Sequence, residues 1–270
     1  MDAIKLQEAL RSGQRVYGTM ITSPSPKLPS YIGQLGMDFV FLDTEHIAID
    51  RQQLSWMCHT YRALGLVPIV RLPSPDPYAA TMVLDGGANG VIAPYVETVE
   101  QVQALRGAVK FRPIRGRKLE EMLAGTAPGS EEMARYMRAH NRTNLLIVNI
   151  ESKPALDALD DILQVPDLDA VLIGPHDLSC SLDVPEQYDH PKFLQAVDEI
   201  VAKARRCGVG AGIHFWIGTE RQIEWARKGL NMIVQSSDIT AFIEHLGDQF
   251  TEIRQALGDR VSGIAESINI

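Results

Sequence analysis

Eight short apolar runs rich in β-branched residues recur along this chain. They lie near residues 16–22, 39–43, 67–71, 90–96, 145–151, 168–174, 209–215 and 232–237. Such runs read as strands buried on both faces, as in parallel sheets. Between them run segments of helical periodicity, for example 54–64, 99–109 and 191–207. Strand–helix alternation predicts an α/β fold with a parallel sheet, and eight units in 270 residues predict a closed (β/α)8 TIM barrel. A doubly wound open sheet is the other arrangement the alternation allows, but it normally carries a glycine-rich turn after an early strand. Here Gly86 and Gly87 precede a strand, and neither G-x-G-x-x-G nor a P-loop pattern occurs.

The length suits one large domain, read as spanning 1–270, with no internal repeat or Pro-rich linker. After Asp238 the pattern predicts a helix through Leu257. From about residue 239 this tail is a candidate to close the barrel or to pack on a neighbouring subunit. A long stretch, 110–144, separates the fourth and fifth strands and holds Arg112, Arg115, Arg117, Lys118 and a helix-like piece at 131–140. It is expected to be either a substrate loop at the catalytic face or a surface excursion that meets another subunit.

Charge and cysteine usage narrow the partners. A formal net charge of −8 argues against a nucleic acid held on a broad basic face. Three scattered cysteines, Cys58, Cys180 and Cys207, form no C-x-x-C and suggest a reducing compartment without disulfides. The polar, helix-patterned start does not read as a signal peptide, and no apolar run approaches the ~20 residues of a membrane span. A cytoplasmic protein with no membrane partner is expected.

In a barrel of parallel strands the C-terminal strand ends face the active site. Polar residues follow four of the runs: Asp43, Glu45 and His46 in F-L-D-T-E-H, Arg71 in V-P-I-V-R-L-P, Glu151 in L-L-I-V-N-I-E, and Asp177 in A-V-L-I-G-P-H-D. Two carboxylates on adjacent strands crowd like charges unless a cation neutralises them. Glu151 and Asp177 together therefore point to a divalent metal such as Mg²⁺, Mn²⁺ or Co²⁺, with water and substrate oxygens completing its shell. The plainer alternative is that each pairs with a base or caps a helix. Arg71 needs an anion, either a ligand's carboxylate and keto oxygens or simply Asp43 or Glu45. His46, following two acids, is the candidate general base. His176 and His214 are further pocket candidates. Gly174 and Pro175 make either a close backbone approach to ligand or an ordinary strand-to-helix turn.

These motifs, D-T-E-H at 43–46, V-R-L-P at 70–73, L-D-G-G-A at 84–88, I-E-S at 150–152 and G-P-H-D-L-S at 174–179, resemble the metal-dependent class II pyruvate aldolases of the HpcH/HpaI type. That family includes 4-hydroxy-2-oxoheptanedioate and 2-keto-3-deoxyglucarate aldolases. The resemblance runs from Gly18 through the strand at 232–237 and implies a barrel of the phosphoenolpyruvate/pyruvate type. It implies cleavage of a 4-hydroxy-2-keto acid to pyruvate and an aldehyde through a metal-bound pyruvate enolate. Glu151 and Asp177 are then the metal ligands, Arg71 the residue on the pyruvyl oxygen, and His46 the base or the positioner of a catalytic water. Gly174, Pro175, His176 and Asn149 would line the substrate. The acid behind His46 is Asp43 or, across the interface of a hexamer, Asp85. Three departures fall on the acceptor side. Asn149 stands where the family usually has glutamine, His176 where a small residue is frequent, and R-G-R-K at 115–118 where an R-G-x-G-like arm is expected. Alternatives that keep the enolate are an oxaloacetate-type decarboxylase and a malyl-thioester-type lyase. A non-catalytic ligand-binding barrel is the reading from a different class.

Overall fold

In the computed structural model, which describes residues 1–127 and 129–260, eight parallel strands close into a barrel in sequence order. They are β1 (Val16–Ile21), β2 (Phe39–Asp43), β3 (Val67–Arg71), β4 (Gly90–Ala93), β5 (Leu145–Ile150), β6 (Ala170–Ile173), β7 (Gly210–Phe215) and β8 (Met232–Ser237). The predicted runs near 90–96 and 168–174 are each shortened to four residues. The polar residues at their edges leave the ladder to line loops and helix starts.

Two apolar layers follow from the two-residue period of the strands. Met20, Phe39, Phe41, Ile69, Ile147 and Leu172 belong to the cluster that fills the barrel. Val40, Leu42, Val70, Val148 and Val171 belong to the cluster shared with the surrounding helices. Gly18 is demanded by this filling: a β-carbon there would lie 2.4 Å from the Phe39 ring. The first helix, Ala3–Ser12, starts at an Asp2 cap and adds Leu6 and Leu10 to the inner cluster. It therefore closes the N-terminal mouth, leaving the opposite mouth for chemistry.

The inward period carries the site. On β2 it runs Phe39, Phe41, Asp43; on β3, Val67, Ile69, Arg71; on β5, Leu145, Ile147, Asn149. The last inward position of each strand is polar because it lies above the packed layer. Asp43 and Arg71 are direct neighbours in the β2–β3 ladder.

The long connection is placed differently from the substrate-loop expectation. It joins the helix Val99–Lys110 to β5, and contains the helices Gly116–Leu123 and Glu131–Asn141. Lys110 Nζ donates to the Asn144 carbonyl, and Asn144 Nδ2 donates to the Val109 carbonyl. Both ends are thus tied at the N-terminal mouth, because a helix-to-strand connection always returns there. Residues 115–118 consequently do not line the cavity of their own chain. The predicted tail helix is present as Asp238–Leu257, capped by Ser237, but none of its residues is buried. Residues 261–270 of that tail lie outside the described residues. Among the described residues no helix is long and apolar enough to cross a membrane.

Below the barrel the fully buried Asp169 carboxylate accepts hydrogen bonds from Gln7, Arg11, Lys110 and the Leu146 backbone N–H. It ties the first helix to β5 and to the long connection. Asp169→Ala would leave Lys110, itself largely buried, without its anion. Loss of one member of a buried pair typically costs about 3–5 kcal/mol. Urea unfolding should show a loss of that order, whereas a loss below about 1 kcal/mol would show that Asp169 is not a structural tie.

Candidate active site

At the open mouth lies a cavity of about 290 Å³, lined among others by His46, Arg71, Asn149, Asp177, His214 and Trp216. Arg71 anchors it. Its Nε donates to Asp43 Oδ1 at 2.8 Å and its Nη2 to Asp43 Oδ2 at 2.7 Å, a two-pronged pair between neighbouring strand ends. Glu45 Oε2 is a further 3.1 Å from Nε. Burial alone would raise the Asp43 carboxyl, but the Arg71 fork and the Glu45 backbone N–H carry it below the usual carboxylate range. A guanidinium has five N–H donors. No protein partner of Nη1 is found among the described residues, so this edge remains for a ligand. The pairing of Arg71 with Asp43 and Glu45 is thus present, and it still leaves N–H donors on the guanidinium.

Glu151 follows β5 by one residue and is buried. Its Oε1 accepts the Tyr95 backbone N–H at 2.7 Å, and its Oε2 accepts Asn149 Nδ2 at 2.8 Å. Gly174 explains the tight seat, since a β-carbon there would lie 2.2 Å from Glu151 Oε2. The glycine thus makes room for a carboxylate. Asp177 is not at a strand end as the sequence pattern suggested. Pro175 starts the helix Pro175–Ser181, and Asp177 sits in its first turn. The helix start turns it back over the cavity, where it lines the wall.

Burial and neighbouring like charges set the electrostatics of the cavity. Burial pushes the Glu151 carboxyl up to about 7, and the charges of Asp177 and Glu45 add to that, against the two hydrogen bonds it accepts. Glu45 is also raised, by burial first and by Asp43 and Asp177, although Arg71 pulls it down. Asn149 Oδ1 is buried with no hydrogen-bond partner among the described residues. No cluster of three or more metal-ligating side chains occurs among them. Two carboxylates, an unpartnered amide oxygen and open space fit a hard divalent cation that keeps water and substrate oxygens in its shell.

His46 lies on the loop after β2, half exposed, with Nε2 3.7 Å from Glu45 Oε2. Within the chain its nearest acid is thus Glu45. Asp43, one of the two acids expected behind it, is committed to Arg71 and the Glu45 N–H. Asp85, the other, ends the helix Pro77–Asp85, is well exposed and pairs with Arg112. That places it at the N-terminal mouth, away from this cavity. Gly174, Pro175, His176 and Asn149 all line the cavity.

Three residues escaped the sequence reading. Phe41 lies 5.2 Å beneath the Arg71 guanidinium, and Trp216 forms part of the wall. Tyr95, held at a positive φ of 51°, turns its N–H to Glu151 and its side chain to Glu45. Phe41 was detectable as the inward position two before Asp43; nothing in the sequence marked Tyr95.

The barrel carries its cavity of acids around one arginine at the C-terminal strand ends, where barrels of this architecture hold their active sites. The chain belongs to the HpcH/HpaI aldolase/citrate lyase family, matched over residues 17–245, and is an enzyme with aldolase activity. It is 31% identical over 206 residues to the 2-keto-3-deoxy-L-rhamnonate aldolase of Salmonella gallinarum, covering 76% of this chain and 77% of that one. The protein of the same name from Escherichia coli is 27% identical over 258 residues, covering 95% and 96%. Among solved structures, an HpcH/HpaI aldolase from Desulfitobacterium hafniense superposes with a TM-score of 0.79 at 26% identity, over 92% of this chain and 96% of that one. The citrate synthase SbnG superposes with a TM-score of 0.80 at 27% identity, over 94% and 99%.

His214, the last inward residue of β7, gives a pH test. Its Nε2–H donates to the Ser236 carbonyl at 3.0 Å, which fixes the neutral tautomer. An edge reaches the cavity, yet enclosure by protein, with Arg71 adding to it, pushes the ring down to about 4 from 6.5. The unfolded chain therefore takes up the proton first as pH falls. The His214 contribution to stability should be complete above about pH 6.5 and fall steadily between 6.5 and 4. Urea unfolding across that window should show a shallower pH slope in His214→Gln than in the wild type. Equal slopes would show that His214 protonates as freely folded as unfolded.

Proposed function

We propose that this protein is a divalent-metal-dependent aldolase that cleaves a 4-hydroxy-2-keto acid to pyruvate and an aldehyde. The observation that carries the reading is the convergence of Asp43, Glu45 and Glu151 on the single guanidinium of Arg71, with Asp177 beside Glu45 and Glu151 in the same cavity. Such a site attracts cations and has one fixed donor group for a developing oxyanion.

Glu151 and Asp177 would hold the ion, which when bound supplies charge neutralisation and Lewis acidity toward the keto acid. The remaining steps belong to this chain's side chains. Arg71, pinned by Asp43, presents its free edge to the keto oxygen and stabilises the negative charge that gathers there as the C3–C4 bond breaks. His46, directly or through a water, takes the proton from the C4 hydroxyl, and Glu45 stabilises the imidazolium. The electron pair of the broken bond enters the pyruvate enolate, and the aldehyde leaves. Protonation of C3 completes pyruvate. Asn149 Oδ1 serves as an acceptor for a water or substrate hydroxyl in the cavity.

The working protein is proposed to be a homo-oligomer, and a hexamer is the assembly the family resemblance suggests. The support is the tail helix, whose Phe242, Phe250, Ile253 and Leu257 are exposed along one side. An oligomer also gives Asp85 a route to a neighbour's His46. The SbnG relationship favours testing other enolate chemistry on the same site, since that neighbour is named a citrate synthase.

Exchange of pyruvate methyl protons with D₂O reads enolisation without an aldehyde, and release of pyruvate from 4-hydroxy-2-keto acids reads cleavage. Both should vanish with EDTA and return with Mg²⁺, Mn²⁺ or Co²⁺. Arg71→Lys keeps the charge but loses the planar fork. It should slow both, by the ~2.7–4 kcal/mol typical of a lost oxyanion donor. His46→Ala should slow cleavage by roughly 10²–10⁴-fold while enolisation suffers less. Pyruvate release from oxaloacetate without cleavage of any 4-hydroxy-2-keto acid would replace the aldolase with a decarboxylase. Absence of metal-dependent exchange would remove the enolate altogether.

A further inference from the structure

His214 has one ring nitrogen that the fold uses and one that it leaves over. Nε2 meets the Ser236 carbonyl at 3.0 Å. A carbonyl oxygen only accepts, so Nε2 carries the proton of the neutral ring. Enclosure by protein keeps the ring neutral near pH 7. Nδ1 is then a bare lone pair that accepts a hydrogen bond and donates none. Among the described residues no protein donor reaches Nδ1, and it is not one of the fully enclosed polar atoms left without a partner. The ring is partly exposed, and the space it borders is the strand-end cavity. Nδ1 therefore remains for a ligand.

The orientation of the ring is held from several sides. Phe41 packs edge-on against it, with centroids 5.7 Å apart and planes at 78°. Trp216 leans on it at 5.8 Å and 56°. Trp216 is braced in turn by Tyr188 at 6.2 Å and Phe215 at 6.1 Å. Ser236, whose carbonyl fixes Nε2, stands at a φ of +55°, and the same carbonyl also accepts Thr19 Oγ1 at 3.3 Å. A left-handed non-glycine residue persists only where surrounding contacts impose it. Here the outcome is a carbonyl aimed at one histidine nitrogen, which leaves the other nitrogen in a fixed place.

An acceptor that cannot donate is selective. A hydroxyl offers it a proton. A carboxylate has acceptors only and sets its lone pairs against that of Nδ1. A methyl group leaves the nitrogen unpaired. Arg71 is the only arginine or lysine lining the cavity among the described residues, so an anion at the His214 end finds no second cation. In the aldolase reading above, the ion on Glu151 and Asp177 fixes the keto acid on the β5 and β6 side, and Arg71 meets it from β3. The β7 side, walled by His214 and Trp216, is left to the aldehyde. Resting on that reading, we propose that His214 is the acceptor-side specificity residue. Its Nδ1 takes a hydrogen bond from a hydroxyl next to the aldehyde carbon and so favours neutral 2-hydroxyaldehydes over apolar or anionic ones.

The test measures kcat/KM for pyruvate addition to glycolaldehyde, acetaldehyde and glyoxylate with the metal-loaded protein. Exchange of the pyruvate methyl protons in the wild type is followed alongside. Its absence would overturn the aldolase reading, while its presence leaves the acceptor ratios to judge His214. His214→Leu and His214→Met fill the place of the ring without an acceptor nitrogen. Ratios are compared between variant and wild type, so the unequal hydration of the three aldehydes in water cancels. In either variant the glycolaldehyde-to-acetaldehyde ratio should fall by about threefold or more, the scale of one hydrogen bond. The glyoxylate-to-acetaldehyde ratio should not fall. A smaller fall of the first ratio in both variants, a parallel fall for glyoxylate, or wild-type exchange without any addition to glycolaldehyde would overturn the proposal. Nitrogen-15 NMR of the wild-type imidazole near neutral pH tests the premise without a variant. It should show Nε2 protonated and Nδ1 bare, and a protonated Nδ1 would overturn the proposal as well.

Discussion

The two-pronged contact between Asp43 and Arg71 is the constraint on which the site depends. Cross-strand register puts the two residues opposite each other at the ends of β2 and β3. The pair lies directly above the packed interior, with Phe41 under the guanidinium. Removing either partner leaves a buried charge uncompensated, a costly state in a water-poor site. With both present, Arg71 loses its side-chain freedom and keeps a defined edge facing the cavity. The same geometry that stabilises the strand ends therefore prepares a donor for negative charge without reorganisation during a reaction.

The acids arranged around that arginine outnumber it. Asp43 is answered by the fork, but burial raises the proton affinity of Glu45 and Glu151, and the charge of Asp177 adds to both. A protein does not usually hold such a cluster without a counter-charge. Gly174 is absent of any side chain where Glu151 needs space, and Tyr95 bends through an unfavourable φ to hand Glu151 an N–H. These local costs are spent to fix one carboxylate. On the proposed reading, Glu151 and Asp177 would hold a divalent cation, which would give these costs a physical reason, and the Asn149 oxygen without a partner among the described residues fits that reading.

Much of this was legible in the sequence because a barrel strand alternates strictly. A polar residue at the inward position beyond Phe39 and Phe41, or beyond Leu145 and Ile147, has to stand at the mouth. That logic placed Asp43 and Arg71, whereas Asn149 entered only through the family resemblance. It failed where the chain leaves the strand: Asp177 sits on a helix turn whose direction depends on Gly174 and Pro175 together, and Tyr95 on a left-handed residue that no local pattern announced. For the stretch 110–144 the sequence left a substrate loop and a surface excursion open, and the ties of its two ends at the N-terminal mouth remove the first. Length alone says nothing about which mouth a loop occupies, whereas its position between a helix and the following strand does. The pairing of His46 with Glu45 and of Asp43 with Arg71 depended on three-dimensional distance among acids adjacent in sequence, which spacing cannot rank.

The central claim is that Glu151 and Asp177 create one divalent-cation site on each chain. Electron paramagnetic resonance titration of Mn²⁺ into the purified, metal-stripped protein measures this without turnover. The account predicts one bound ion per chain in the wild type and none in the folded double variant Glu151→Gln, Asp177→Asn. Binding of equal affinity and stoichiometry in that variant, or no bound Mn²⁺ in the wild type, would contradict it.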